Sequence, residues 1–132
     1  MRKLWLALGL LFFIGPAQAQ PVIPLTQFSV PITISTATTT QLVALKAGQS
    51  IYVTAVDIIA AGTGNIQFVY GTGTNCGTGQ GNVTGNYQLI AQVGFTKGNG
   101  SGVLWVVPAG NALCAVTSAN VSMPGSLAYA QF

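Results

Sequence analysis

The chain has 132 residues, half of them hydrophobic and 4% charged, which is enough apolar material for a core and rules out the charged, apolar-poor composition of a disordered chain. Arg2 and Lys3 fall in an N-terminal segment that reads as removable, so residues 20–132 keep only Lys46, Lys97 and Asp57, and no His. Despite a formal charge of +3, no basic patch exists to meet a nucleic-acid backbone or an anionic membrane surface, and both are excluded as partners.

Residues 1–19 have the layout of a secretory signal peptide. Arg2-Lys3 is the positive start, Leu4 to Ile14 the apolar stretch, Gly15-Pro16 the break and Ala17-Gln18-Ala19 the cleavage site. The apolar stretch is far shorter than the ~20 residues a bilayer span needs. The expected product starts at Gln20 and is secreted, to a periplasm, the exterior or a cell or virion surface. It has no stable membrane insertion after cleavage, and residues 20–132 form one domain.

In chain order, Gln20 to Leu25 carries two prolines and is an extended lead-in. Phe28, Val30, Ile32 and Ile34 alternate with polar residues, the mark of a half-buried strand. Pro31 on its other face makes it an edge strand or one that swaps sheets. Ser35 to Thr40 is a polar turn, Gln41 to Leu45 a short strand, and Lys46 to Ser50 a turn. Ile51 to Ala61, apolar and β-branched, is a central strand. Strict alternation puts Ile51, Val53, Ala55 and Asp57 on one face, and Tyr52, Thr54, Val56 and Ile58 on the other. Asp57 is read as structural. Gly62 to Asn65 is a hairpin turn into Ile66 to Tyr70.

Gly71 to Gly85 (GTGTNCGTGQGNVTG) is read as a loop that can be neither helix nor regular strand. Strands follow at Tyr87 to Val93, Val103 to Val107, Ala112 to Thr117 and Gly125 to Phe132, with a second glycine loop from Phe95 to Gly102. About eight short antiparallel strands, regular turns and no convincing helix predict an all-β fold, a single β-sandwich of jelly-roll or Greek-key type, with a small barrel as the alternative.

Cys76 and Cys114 are the two cysteines, and in an exported domain they are expected to bond. The ring so closed contributes about 4 kcal/mol in the chain-entropy model. Two thiols with one Asp and no His do not complete a metal site, and no cofactor is expected. Acid–base and nucleophilic catalysis lack their usual groups: there is no His, no Glu and one Asp. The glycine loops contain no phosphate-binding signature. The chain is therefore read as non-enzymatic. Tyr70, Tyr87 and Phe95 flank the glycine loops, which carry Asn75 and Asn99, and these five are the candidates for surface recognition. Sequons begin at Asn82, Asn99 and Asn120.

Three blocks carry a resemblance: Ala47 to Gly79, Val106 to Ser118 and the terminal GSLAYAQF. Together they resemble small β-sandwich proteins of phage and prophage, of the head-decoration, fibre or tail-associated kind. The resemblance implies a structural or surface-binding virion component, with self-association or neighbouring subunits as partners. Low charge independently favours work inside an assembly or outside the cell. Two alternatives stand beside it: a pilus or adhesin subunit that donates the Phe28 to Ile34 strand, and a lectin-like module reading a surface glycan or protein receptor through Tyr70, Tyr87 and Phe95.

Overall fold

The computed structural model describes residues 26–98 and 102–132. The signal segment, the Gln20 to Leu25 lead-in and Asn99 lie outside them. Ten strands form: β1 (Phe28–Ile34), β2 (Thr39–Val43), β3 (Ile51–Ile59), β4 (Gly64–Thr72), β5 (Thr78–Asn82), β6 (Tyr87–Leu89), β7 (Gly94–Gly98), β8 (Trp105–Val107), β9 (Ala112–Thr117) and β10 (Met123–Gln131). They make two five-stranded sheets. One runs β1-β10-β3-β7, with β8 also on β3; the other runs β2-β9-β4-β5, with β6 also on β4.

Every ladder is antiparallel, and the pairs nest: β1 with β10, β2 with β9, β3 with β7 and β8, β4 with β5 and β6. A long hairpin rolled up on itself gives this nesting, which is the jelly-roll plan. Two of its arms are each split into a pair of short strands. Between β5 and β6 the split is visible: Val83 and Thr84 both donate to the Phe68 carbonyl, at 3.0 and 3.1 Å. Phe68 N–H in turn donates to Thr84 Oγ1 at 3.1 Å. The edge position expected from Pro31 is met, since β1 ends its sheet.

Three local expectations are corrected, besides the strand expected over Tyr87 to Val93, which stops at Leu89 in β6 and gives way to a turn closed by Val93 N–H on the Ile90 carbonyl. The Gly71 to Gly85 segment contains a 3-10 turn at Thr74–Cys76 and the strand β5. A ladder needs only backbone groups, and at a sheet margin glycines cost it little. Gly81 is paired with Tyr70, whose ring occupies the space a Cβ at position 81 would need. The second glycine loop likewise contains all of β7 but its first residue, Gly94, which lies so close to the Ile58 carbonyl that any side chain would overlap it.

The third correction is in β3. Ala55 pairs with Ala128 and Val53 with Tyr129, so Thr54 is an extra residue in a β-bulge. The bulge shifts the alternation by one. Ile51 and Val53 are buried before it, Val56 and Ile58 after it, and Asp57 emerges on the exposed face. Buried Thr54 donates its hydroxyl to the Ala128 carbonyl at 3.3 Å.

Ile32, Ile34, Val43, Ile51, Val56, Ile58, Ile66, Phe68, Val107, Leu113, Met123 and Leu127 fill the space between the sheets. Phe68 is fully buried and packs against Trp105 with ring centroids 5.1 Å apart. Burying one such side chain contributes about 1.5–3 kcal/mol, so this cluster is the main source of stability.

A second, smaller cluster lies on the outer face of β4 and β9: Val69, Cys76, Ala112 and Cys114, with Val116 against it. Alternation along both strands produces it, since Phe68 and Leu113 point inward and Val69 and Cys114 outward.

Candidate functional site

The expected disulfide is formed. Cys76 and Cys114 are bonded with Cα atoms 6.3 Å apart, and both are completely buried. Residues 73–77, between β4 and β5, pass over the outer face of the second sheet like a strap, and the bond fastens them to β9. Such bonds belong to oxidising, non-cytoplasmic settings. No helix among the described residues is long and apolar enough to cross a membrane.

Asn75 sits on this strap in the left-handed conformation (φ 50), as does Cys76 (φ 57). Asparagine tolerates that region better than most residues. Its Oδ1 accepts a hydrogen bond from Gln41 N–H on β2 at 3.4 Å, so the strap spans from β4 to the margin strand of the sheet.

Tyr87 and Phe95 come together on the side of the sandwich, one from each sheet. Tyr87 pairs with Ile66 and Phe95 with Ile58, so both rings lean inward over the core margin. Their centroids are 4.8 Å apart. Lys97 closes over them, its Nζ 4.5 Å from the Tyr87 centroid and donating to the Tyr87 hydroxyl at 3.0 Å. Tyr70 lies apart from this pair, half-buried against Gly81. These three rings therefore cover core with one side and meet solvent with the other.

Asp57 is exposed and accepts a hydrogen bond from its cross-strand neighbour Ser126. Among the described residues, no group of three or more His, Cys, Asp or Glu is placed to hold a metal ion. Of the sequon asparagines, Asn82 is exposed at the end of β5, while Asn120 Oδ1 accepts from Ala37 N–H at 2.7 Å.

Two further sites escaped the sequence reading, and they occupy opposite ends of the sandwich. β3 joins them, spanning roughly 26 Å at about 3.3 Å per residue. At its Ile59 end the turn after β6 is tied back to the strand, with Gln92 N–H donating to the Ala60 carbonyl at 2.7 Å and Ala60 N–H to that of Val93 at 3.1 Å. Ile59, Ile90 and Val93 are 58%, 56% and 45% exposed there.

At the Ile51 end a cleft of about 400 Å³ is lined by Thr26, Phe28, Lys46, Gln49, Gln131 and Phe132. Gln49 Oε1 is buried and has no hydrogen-bond partner among the described residues. These lining positions come from three distant parts of the chain, which is why no local motif announced them.

Comparison with protein families, with curated proteins and with solved structures returned no match.

Proposed function

We propose that this protein is an exported, non-enzymatic structural module of a phage-like virion or surface assembly, joined to neighbouring subunits through its Ile59, Ile90 and Val93 end. The observation that carries this reading is that end itself: three large aliphatic side chains held in the open by backbone hydrogen bonds. Exposed apolar groups gathered in one place on a soluble domain mark contact surfaces. The chain's scarcity of charge supports it, and the one carboxylate near this end, Asp57, exposed two residues from Ile59, is hydrogen-bonded to Ser126. The disulfide supports export, and the jelly-roll plan recurs in viral capsid and lectin domains, an analogy of fold alone.

Strand donation fits less well. The segment that would be donated is β1, which is paired along all seven residues with β10 and buries Ile32 and Ile34 in the chain's own core.

The test is the native mass of the mature protein across a concentration series. Oligomers are expected, and replacing Ile90 and Val93 together by Asp should reduce them to monomers while leaving the circular dichroism unchanged. A monomer at every concentration would sink the proposal.

A further inference from the structure

We propose that the cleft at the Ile51 end is the docking site for residues 20–25 of the same chain. Chain continuity names the occupant. Thr26, the first described residue, lines the cleft, and Leu25 is bonded to it. A space of about 400 Å³ thus opens beside the point where the apolar segment Gln20-Pro-Val-Ile-Pro-Leu25 joins the sandwich.

The neighbouring ladder points the same way. β1 and β10 pair without a register shift from Ile34 opposite Met123 to Phe28 opposite Tyr129, and β10 then runs on to Gln131. On the β3 side, Ala130 and Gln131 are paired with Tyr52 and Ile51, and Phe132 exchanges hydrogen bonds of 2.9 and 3.3 Å with Ser50. On the β1 side, among the described residues, no strand faces these last three. The same register, continued, sets Thr26 opposite Gln131 and Leu25 opposite Phe132. Thr26, Gln131 and Phe132 all line the cleft, so the continued ladder leads into it.

The composition of the segment suits that place. Side chains alternate along an extended chain, so Val22 and Pro24 share a side with Thr26 and Phe28, and Ile23 lies on the other. The Phe28 and Phe132 rings are close to half exposed, at 46% and 47%, and aromatic-lined grooves accept extended segments carrying prolines. Each proline fixes its own φ and holds the residue before it out of the helical region. Gln20, Pro21, Ile23 and Pro24 are all restricted in this way, which lowers the entropy lost on docking. The segment has no charged side chain to desolvate. Its bond to Thr26 also makes docking intramolecular, which favours it over the same segment of another copy.

This inference stands apart from the assembly proposal, because the two use opposite ends of the molecule. A protein that assembles with an open cleft and a monomer with a filled one are separate results.

The experiment is isotope-filtered NMR on the folded mature protein, alone and as a mixture of labelled and unlabelled copies. Val22 methyl and Pro24 ring protons should show through-space contacts to the Phe28 and Phe132 rings. Those contacts should persist on dilution and be absent between labelled and unlabelled copies. Val22→Ser should remove the Pro24 contacts and move the Phe132 ring resonances, whereas Ile23→Ser should leave both in place. Because the contacts are read first on the unaltered protein, a variant that fails to fold does not decide the matter. No contact from residue 22 or 24 to either ring would overturn the assignment. So would contacts seen only between copies, which would give the cleft to a neighbour's segment.

Discussion

Strands β4 and β9 each serve two hydrophobic clusters, one through each face, and the two clusters are held together by different means. Inside, Phe68, Ile66 and Leu113 meet the opposite sheet and are covered by many other side chains. Outside, Val69 and Cys114 have no second sheet above them, only a short strap of Gly, Thr and Asn. Such a strap cannot bury enough apolar surface to fix itself. A covalent bond and the Asn75 contact to β2 do what packing does on the inner side. A small domain can thus cover an outer sheet face cheaply, provided it folds where disulfides persist.

Substitutions that separate the two clusters test this contrast. The largest loss is expected for Phe68→Ala, about 3–5 kcal/mol, read as a lowered midpoint in chemical denaturation with the whole sandwich unfolding together. Replacing Cys76 and Cys114 together by Ser should cost about 2–4 kcal/mol, less than Phe68→Ala, with hydrogen exchange accelerated at residues 71–79 and little changed in β3 and β10. If exchange instead rises equally everywhere, the outer cluster is integral to the fold and the contrast fails.

Gly94→Ala sharpens the argument about the glycine-rich strands. A methyl group there meets the Ile58 carbonyl, and a cost of about 1–3 kcal/mol is expected by thermal melting. No loss would mean that β7 is held too loosely to feel it. The smallest effect belongs to Lys97→Ala at the open side of the sandwich, within ~1 kcal/mol, because its cation–π contact is exposed to water. A larger loss would show that the Tyr87 and Phe95 seam contributes more than its margin position implies.

Much of the fold was legible in the sequence, because a strand with one buried face must alternate. Phe28 to Ile34 displayed that period and became β1, Ile66 to Tyr70 became the middle of β4, and the apolar run Ala112 to Thr117 became β9. The disulfide followed from two cysteines in a chain read as exported. β5 and β7 were hidden by their glycines, whose reputation as loop residues reflects side-chain absence and not an inability to hydrogen-bond. The face assignment in β3 went wrong from Thr54 onward, since the bulge there reverses the faces of Ala55 to Ile58 and leaves no mark in residue type.

The candidate recognition residues divide on the same line. Tyr70, Tyr87 and Phe95 were found because aromatics beside glycine loops stand out in a sequence. The cleft of Phe28, Gln49 and Phe132 was not, because its parts are joined only when β1 and β10 pair and the turn after β2 closes over them.

By itself, then, the sequence determined the class of fold, the near absence of charged chemistry and the partners of the disulfide, all properties of composition and short-range period. Only the tertiary structure decided which face of each strand is wet, where glycine gives way to a neighbour's ring and which distant residues meet to line the cleft. Those depend on register and on contacts between residues far apart in the chain, and no local pattern encodes them.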